Sequence, residues 1–411
     1  MGHLPLISSV VMLIARSTPS CSYISLENTN ERPNSLSYRR QNMFMRDRSG
    51  ASLLEYGLVL GLVAAAGVAA IRATGSEVSI DFLKSADELY SAILDEPLDP
   101  DAFALSIRGS SVHLNPAAGG DIQVDWGNKA ANKRCGQDFT AGSEISCDYD
   151  YFGTYRVAIL GDMTTYGPPA DSVHNQAIVR VLQWGNTGLD NLSGAFRNAV
   201  NLIDVPGNIP PEVTNLASMF EGASSLNDPD LARWDTSSVG TFSHMFAEAY
   251  SFNVDIGSWD VSKATNIQAM FRNADAFTWD LNNWDVSRVE NMQGVFRETS
   301  YNGNISSWDT SSATNMSAMF IQNDAFDQDI SGWDTSSAET FEAMFQQAAS
   351  FSHDVSGWDV SAATNMGRMF WNATSFTSDL SGWCVINITS RPVLFSEGSS
   401  INSEPTWGTC P

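Results

Sequence analysis

The sequence predicts an α+β multidomain chain: a long N-terminal hydrophobic helix, then a small β-sandwich, then a solenoid of 24–25-residue units. Three observations carry this. A Trp recurs at 234, 259, 284, 308, 333, 358 and 383, and a Phe keeps the same beat at 196, 220, 246, 271, 296, 320, 345 and 370. A fixed period of that length marks a solenoid, whose units bury their apolar faces only against their neighbours. Leu53 to Ile71 is nineteen residues with one charge, Glu55, long enough for one membrane-spanning helix. Between these regions, Ile122 to Trp126 and Tyr155 to Leu160 alternate apolar and polar residues as half-buried strands do.

The chain has 411 residues, too many for one compact core, and its apolar content excludes global disorder. Its formal charge is 22 − 47 = −25. Six Arg and three acids precede Ala51, so a chain starting there carries 16 − 44 = −28. Such a surface repels phosphate, which argues against nucleic acid and anionic lipid headgroups as ligands. Plain solubility is an equally physical reason for acidity.

Residues 1–42 have no strong periodicity. Ile7 to Ile14 is an apolar run too short to cross a bilayer. It fits either a signal-peptide core or an extension upstream of a true start at Met43 or Met45. Arg46 and Arg48 precede the long apolar run and Arg72 alone follows it, which places its N-terminal side in the cytoplasm. A carboxylate such as Glu55 costs roughly 2.5–3.5 kcal/mol at mid-bilayer, and less near the edge, so its presence points to a partner. Beyond Gly75, the residues Val78, Phe82, Ala86, Leu89 and Ile93 continue a helical stripe, which Glu96 to Pro100 ends.

The order of basic leader, Gly50, Ala51, Glu55, Tyr56 and apolar run is similar to that of type IVb pilins of the Flp, or tight-adherence, kind. The resemblance implies cleavage after Gly50 by a prepilin peptidase. It also implies that Glu55 meets the new amine of Ala51 on a neighbouring subunit, as opposite charges in a low-dielectric core favour. The large load behind this segment departs from that family, whose members are short. An ordinary single-pass anchor is the competing reading.

In the β module, VDWGN at 124–128 and GTYRVAI at 153–159 resemble the hallmarks of PKD-like sandwich domains, with Asn128 replacing an expected acid. Cys135 and Cys147 stand twelve residues apart, and a bridge there contributes about 3 kcal/mol. Asp148 and Asp150 lie nearby without the loop spacing of a calcium site.

Each repeat carries a segment such as Asn315 to Phe320, in which Met316, Met319 and Phe320 share one face of a short helix. Ten residues on, Asp329 to Asp334 reads as a short strand and turn. The preceding Ile178 to Leu182 reads as the strand that starts and caps the array. The recurring wording (T)NMxxMFxxAxxFxxDISxWDVSxA resembles the BspA-type leucine-rich-repeat surface proteins of bacteria. That family implies exposure at the cell surface and, for several members, adhesion. The Trp and Phe ladders read as core. Positions that vary just after the constant Phe are the candidate contacts: Arg272, Arg297, Ile321, Gln346 and Trp371.

A solenoid needs its last turn covered, and a Cys384–Cys410 bridge pins the tail over it, as in the terminal repeat of BspA-type proteins. Cys21 is then left alone, upstream of Gly50, which suits an oxidising compartment for the rest. The expected organisation is a leader or extension at 1–50, an assembly helix at 51–95, a linker at 96–102, a sandwich at 103–168, a solenoid at 170–385 and a cap at 386–411.

No nucleophile elbow, zinc-protease helix, phosphate loop or dinucleotide turn is present. The five His do not form a ligand pattern, and sequons such as Asn304-Ile-Ser are expected by chance in such a composition. Asp260, Asp285, Asp309, Asp334 and Asp359 recur at one phase, and equal environments cannot separate the pKa values of an acid–base pair; they read as turn formers. The sequence therefore predicts no catalytic residues, no metal and no cofactor. It predicts a surface adhesin that passes through the inner membrane by residues 53–71 into a pilus, with prepilin peptidase, other pilin subunits and an extracellular protein or glycan as partners. The alternative is a membrane-anchored scaffold outside any filament.

Overall fold

The computed structural model describes residues 98–411 apart from 115, 119–120, 127–134, 136–137, 140–144 and 168–173. All of these belong to one compact unit, Ile80–Pro411. The expected helix at 51–95, the membrane segment 53–71, and Gly50, Ala51, Glu55 and Tyr56 lie outside the described residues.

Seven strands come first: β1 (Phe103–Leu114), β2 (Pro116–Ala118), β3 (Ile122–Asp125), β4 (Asp138–Phe139), β5 (Ile145–Leu160), β6 (Met163–Tyr166) and β7 (Ile178–Gln183). They form a five-stranded sheet in the order β4-β3-β5-β1-β7 and a two-stranded ribbon of β2 and β6. Strand β1 lies between β5 and β7, antiparallel to both. Phe103 to Ile107 are all buried, so this strand lacks the alternation that identifies β3 and β5.

The α+β expectation is corrected here. Among the described residues there is no α-helix, only the 3₁₀ turns His174–Ala177 and Pro229–Arg233, and no helix long and apolar enough to cross a membrane. Sheet and turns make up the rest. Nor does each repeat hold a strand and a helical turn. In the unit at 341–348 the N–H groups of Met344, Gln346 and Ala348 donate to the carbonyls of Phe341, Ala343 and Phe345, three residues back, at 3.0–3.1 Å. The alternate N–H groups, of Phe341, Ala343, Phe345 and Gln347, donate to Asn365, Gly367, Met369 and Trp371 of the next coil at 2.7–2.9 Å. Ala343 and Gln347, third in their turns, have φ of 56° and 59°, the geometry of two type II turns.

The apolar spacing of 3 and 4 is common to a helix and to consecutive turns, which is why periodicity alone does not separate them. Met316, Met319 and Phe320 do share one buried face, as the spacing requires. The distinguishing signal is the residue two places either side of the constant Phe. Gly194, Gly222 and Gly294, with Asn198, Asn273 and Asn372, stand there with positive φ, which these residue types tolerate. Elsewhere the same position holds Ser218 at 54° and Ala318 at 59°. A left-handed non-glycine residue costs about 1–2 kcal/mol, partly offset by the chain entropy that glycine loses. Ser218→Gly and Ala318→Gly are therefore expected to stabilise by about 0.5–1 kcal/mol each. Urea titration checks this, and a lowered midpoint contradicts it.

Single parallel bridges at Asn191, Asn215, Thr241, Asn266, Asn291, Asn315, Thr340 and Asn365 tie each coil to the next. Inside, the constant Phe rings from Phe196 to Phe370 stack with centroids 5.5–6.0 Å apart. The Trp rings form a second column, and each indole N–H donates to a carbonyl of the preceding coil, as Trp333 does to Ile305 at 3.1 Å. These ladders are core, as the fixed phase predicts.

Sheet and solenoid share strands. Thr165 of β6 bridges Asn191, and Arg180 of β7 bridges Asp204, so β6 and β7 cover the first coil's open edge. Phe103, Tyr166 and Phe196 carry the aromatic column across, at 4.7 and 5.7 Å. Gly185 must be glycine at this joint: its φ is +67°, and a Cβ would stand 2.4 Å from the Ala102 backbone.

Candidate binding face

The residue after each constant Phe points away from the column, so these variable positions form a row along the turn face. Arg272 and Arg297 are half exposed there, and Gln346 and Trp371 half-buried. Ile321 is only 8 % exposed and so offers little surface on this face.

Charge divides this face. In its first half, cations and carboxylates from different coils neutralise one another: Arg197 meets Glu221 at 2.5 Å and Arg272 meets Glu248 at 2.6 Å. Arg297 pairs with the adjacent Glu298 at 2.8 Å. His244 sits among these groups. Burial, aided by Arg272 and Arg197 and opposed by Glu221, holds its imidazole below the ordinary 6.5, so it is neutral at pH 7. The coil length read from the sequence places Arg197 and Glu221, and Arg272 and Glu248, on adjoining coils, but which side chains turn toward one another required the fold. The second half of the face, around Gln322, Gln346, Gln347, Arg368 and Trp371, carries no such pairs among the described residues.

The repeated acids occupy the opposite role. Asp260, Asp285, Asp309, Asp334 and Asp359 each accept the backbone N–H two residues on at 2.9–3.1 Å, confirming them as turn formers. Serine hydroxyl donation holds the carboxyls of Asp235, Asp260, Asp329 and Asp334 below the ordinary 3.8. Because the folded value is the lower one, their contribution is present above 3.8 and is lost as pH falls through the folded values. The thermal midpoint is expected to drop below pH 3.8, and to drop less in Asp260→Asn/Asp334→Asn, which keeps the turns but does not titrate. An equal drop in that variant contradicts the assignment.

The sulfurs of Cys135 and Cys147 are joined, as are those of Cys384 and Cys410. Among the described residues, no group of three or more His, Cys, Asp or Glu could hold a metal ion. A family model described as "Mycoplasma protein of unknown function, DUF285" matches residues 190–306 and again 295–407. No curated protein and no solved structure matches.

Proposed function

The chain belongs to the DUF285 family over residues 190–407, and from that premise we propose a non-enzymatic binding protein of the cell surface, displayed by a pilin-like N-terminal segment. The observation that carries this reading is the state of the cysteines. Every cysteine after Gly50 is paired, at 135 with 147 and at 384 with 410, an arrangement that an oxidising, extracytoplasmic compartment favours. A solenoid with polar side chains on its turn face and a sealed aromatic core is suited to contact rather than chemistry.

In this reading the leader is cut after Gly50 by a prepilin peptidase. Residues 53–71 hold the chain in the inner membrane, and Glu55 pairs with the Ala51 amine of a neighbouring subunit on passage into a tight-adherence pilus. Sheet and solenoid then face outward toward an extracellular protein or glycan, without nucleic acid or cofactor. The single-pass anchored scaffold is the second reading, favoured by a load far larger than that of short Flp-type pilins.

Glu55→Ala tests the choice. The wild-type chain is expected in the filament fraction sheared from intact cells, and the variant is expected to remain in the membrane fraction. A wild-type chain that never leaves the membrane contradicts filament entry and leaves the anchored scaffold.

A further inference from the structure

Arg368 stands on the turn face with the arginines of the first half, yet its situation differs. Arg197, Arg272 and Arg297 each meet a carboxylate at 2.5–2.8 Å. Among the described residues Arg368 meets none, in a chain with 47 acids and 22 bases. The nearby Glu342 is engaged by the Asn365 amide at 2.9 Å.

On the coil of Arg368 and the two before it stand outward side chains with no hydrogen-bond partner among the described residues. Gln322 donates its backbone N–H to Gln346 at 2.8 Å, and Gln347 donates its own to Trp371 at 2.7 Å, so Gln322, Gln346, Gln347 and Trp371 are contiguous across adjacent coils. Their side-chain polar groups make no hydrogen bond among the described residues. Trp371 is the telling member. The seven ladder indoles from Trp234 to Trp383 donate to carbonyls of the preceding coil at 2.8–3.2 Å. Trp371 lies outside that column, half-buried, with its N–H unused.

We propose that Gln322, Gln346, Gln347, Arg368 and Trp371 form a site for a glycan that carries a carboxylate sugar. The chemistry is additive. An indole face packs on the C–H face of a pyranose ring, and planar amides serve the hydroxyls as both donors and acceptors. A guanidinium free of internal carboxylates accepts a sugar carboxylate in a two-pronged hydrogen bond. Coils repeat about every 4.8 Å, so three of them match two or three sugar units. An acidic peptide fits less well. The backbone N–H groups here are spent on the inter-coil ladder, which leaves no edge for an added strand.

This site rests on the reading of the array as a displayed binding surface, and the experiment keeps the two apart. The full mature chain is applied to a printed array of neutral, carboxylated and sulfated glycans, beside Trp371→Ala and Arg368→Gln. Both variants are expected to keep the wild-type thermal midpoint, because neither side chain belongs to the aromatic ladder; Trp371→Phe serves if Trp371→Ala does not fold. Wild type is expected to bind carboxylated glycans. Trp371→Ala is expected to lose roughly tenfold or more on all of them, and Arg368→Gln to lose the preference for acid over neutral forms by a similar factor. A blank array, binding unchanged in both variants, or capture of an acidic peptide in place of glycans overturns the site. A blank array with the chain found on intact cells removes the glycan site alone. Glycan binding by a chain absent from the cell surface removes the display reading alone.

Discussion

Trp308→Ala is expected to remove roughly 5 kcal/mol of stability and to uncouple the array into two parts. Trp308 is 3 % exposed and stacks on Trp284 at 6.5 Å and on Trp333 at 6.1 Å, with Phe296 at 6.1 Å. Its indole N–H donates to the Leu281 carbonyl at 2.8 Å. Truncation therefore opens a cavity touching both neighbouring coils and removes one of the two donors to the Leu281 carbonyl, which keeps the Trp284 backbone N–H at 3.1 Å. Large aromatic truncations in cores cost about 3–5 kcal/mol, and the lost hydrogen bond adds about 1 kcal/mol. Since a coil contacts only its neighbours, no distant contact compensates. Urea unfolding followed by tryptophan fluorescence should broaden or split into two transitions, whereas Trp308→Phe, which keeps a stacked ring, should lose only about 1–2 kcal/mol. A single transition unchanged in slope, with a loss under about 1 kcal/mol, contradicts stacking as the source of cohesion.

Cys384→Ser/Cys410→Ser carries the second large effect, with a different distribution. The bridge closes a loop of 26 residues, and loop closure of that length stabilises by about 3.5 kcal/mol. The loss should fall on the end of the array. The cap there rests on Phe395, edge-on to Phe370 at 5.6 Å, and on Trp407, edge-on to Phe395 at 4.9 Å. Arg391 links Glu397 at 2.7 Å with Glu404 at 2.6 Å over the same turns, and Val385 donates to Thr409 at 2.9 Å. Without the bridge these weaker contacts hold the tail alone. Amide exchange at Phe370 to Phe376 should accelerate, while exchange at Phe271 to Phe296 should stay as it is. Uniform acceleration along the array contradicts a cap that acts locally.

The repeat, its aromatic core and the aspartate turns were readable in the sequence, because each is a matter of spacing along a regular coil; the cysteine pairs were readable from their number, their closeness in the β module and the family resemblance of the tail. Met316, Met319 and Phe320 show where spacing runs out: all three are buried together, yet through paired turns rather than a helix. The glycines and asparagines at 194, 198, 222 and 273 held the missing information, as residues that accept positive φ. Strand β1 was missed for another reason, since Phe103 to Ile107 are covered on both faces and show no alternation. On the binding face, the row of variable positions was legible from the beat of the Phe residues. The pairing of Arg272 with Glu248, and the isolation of Arg368, depend on which side chains turn toward one another and so required the fold.

Intact-mass measurement of the protein from the cell envelope, under non-reducing conditions, tests the central claim most directly. The account predicts a chain beginning at Ala51 and lighter than its reduced form by four hydrogens, two for each of the two disulfides. A chain that retains residues before Ala51, or that carries free thiols at 135, 147, 384 or 410, contradicts it.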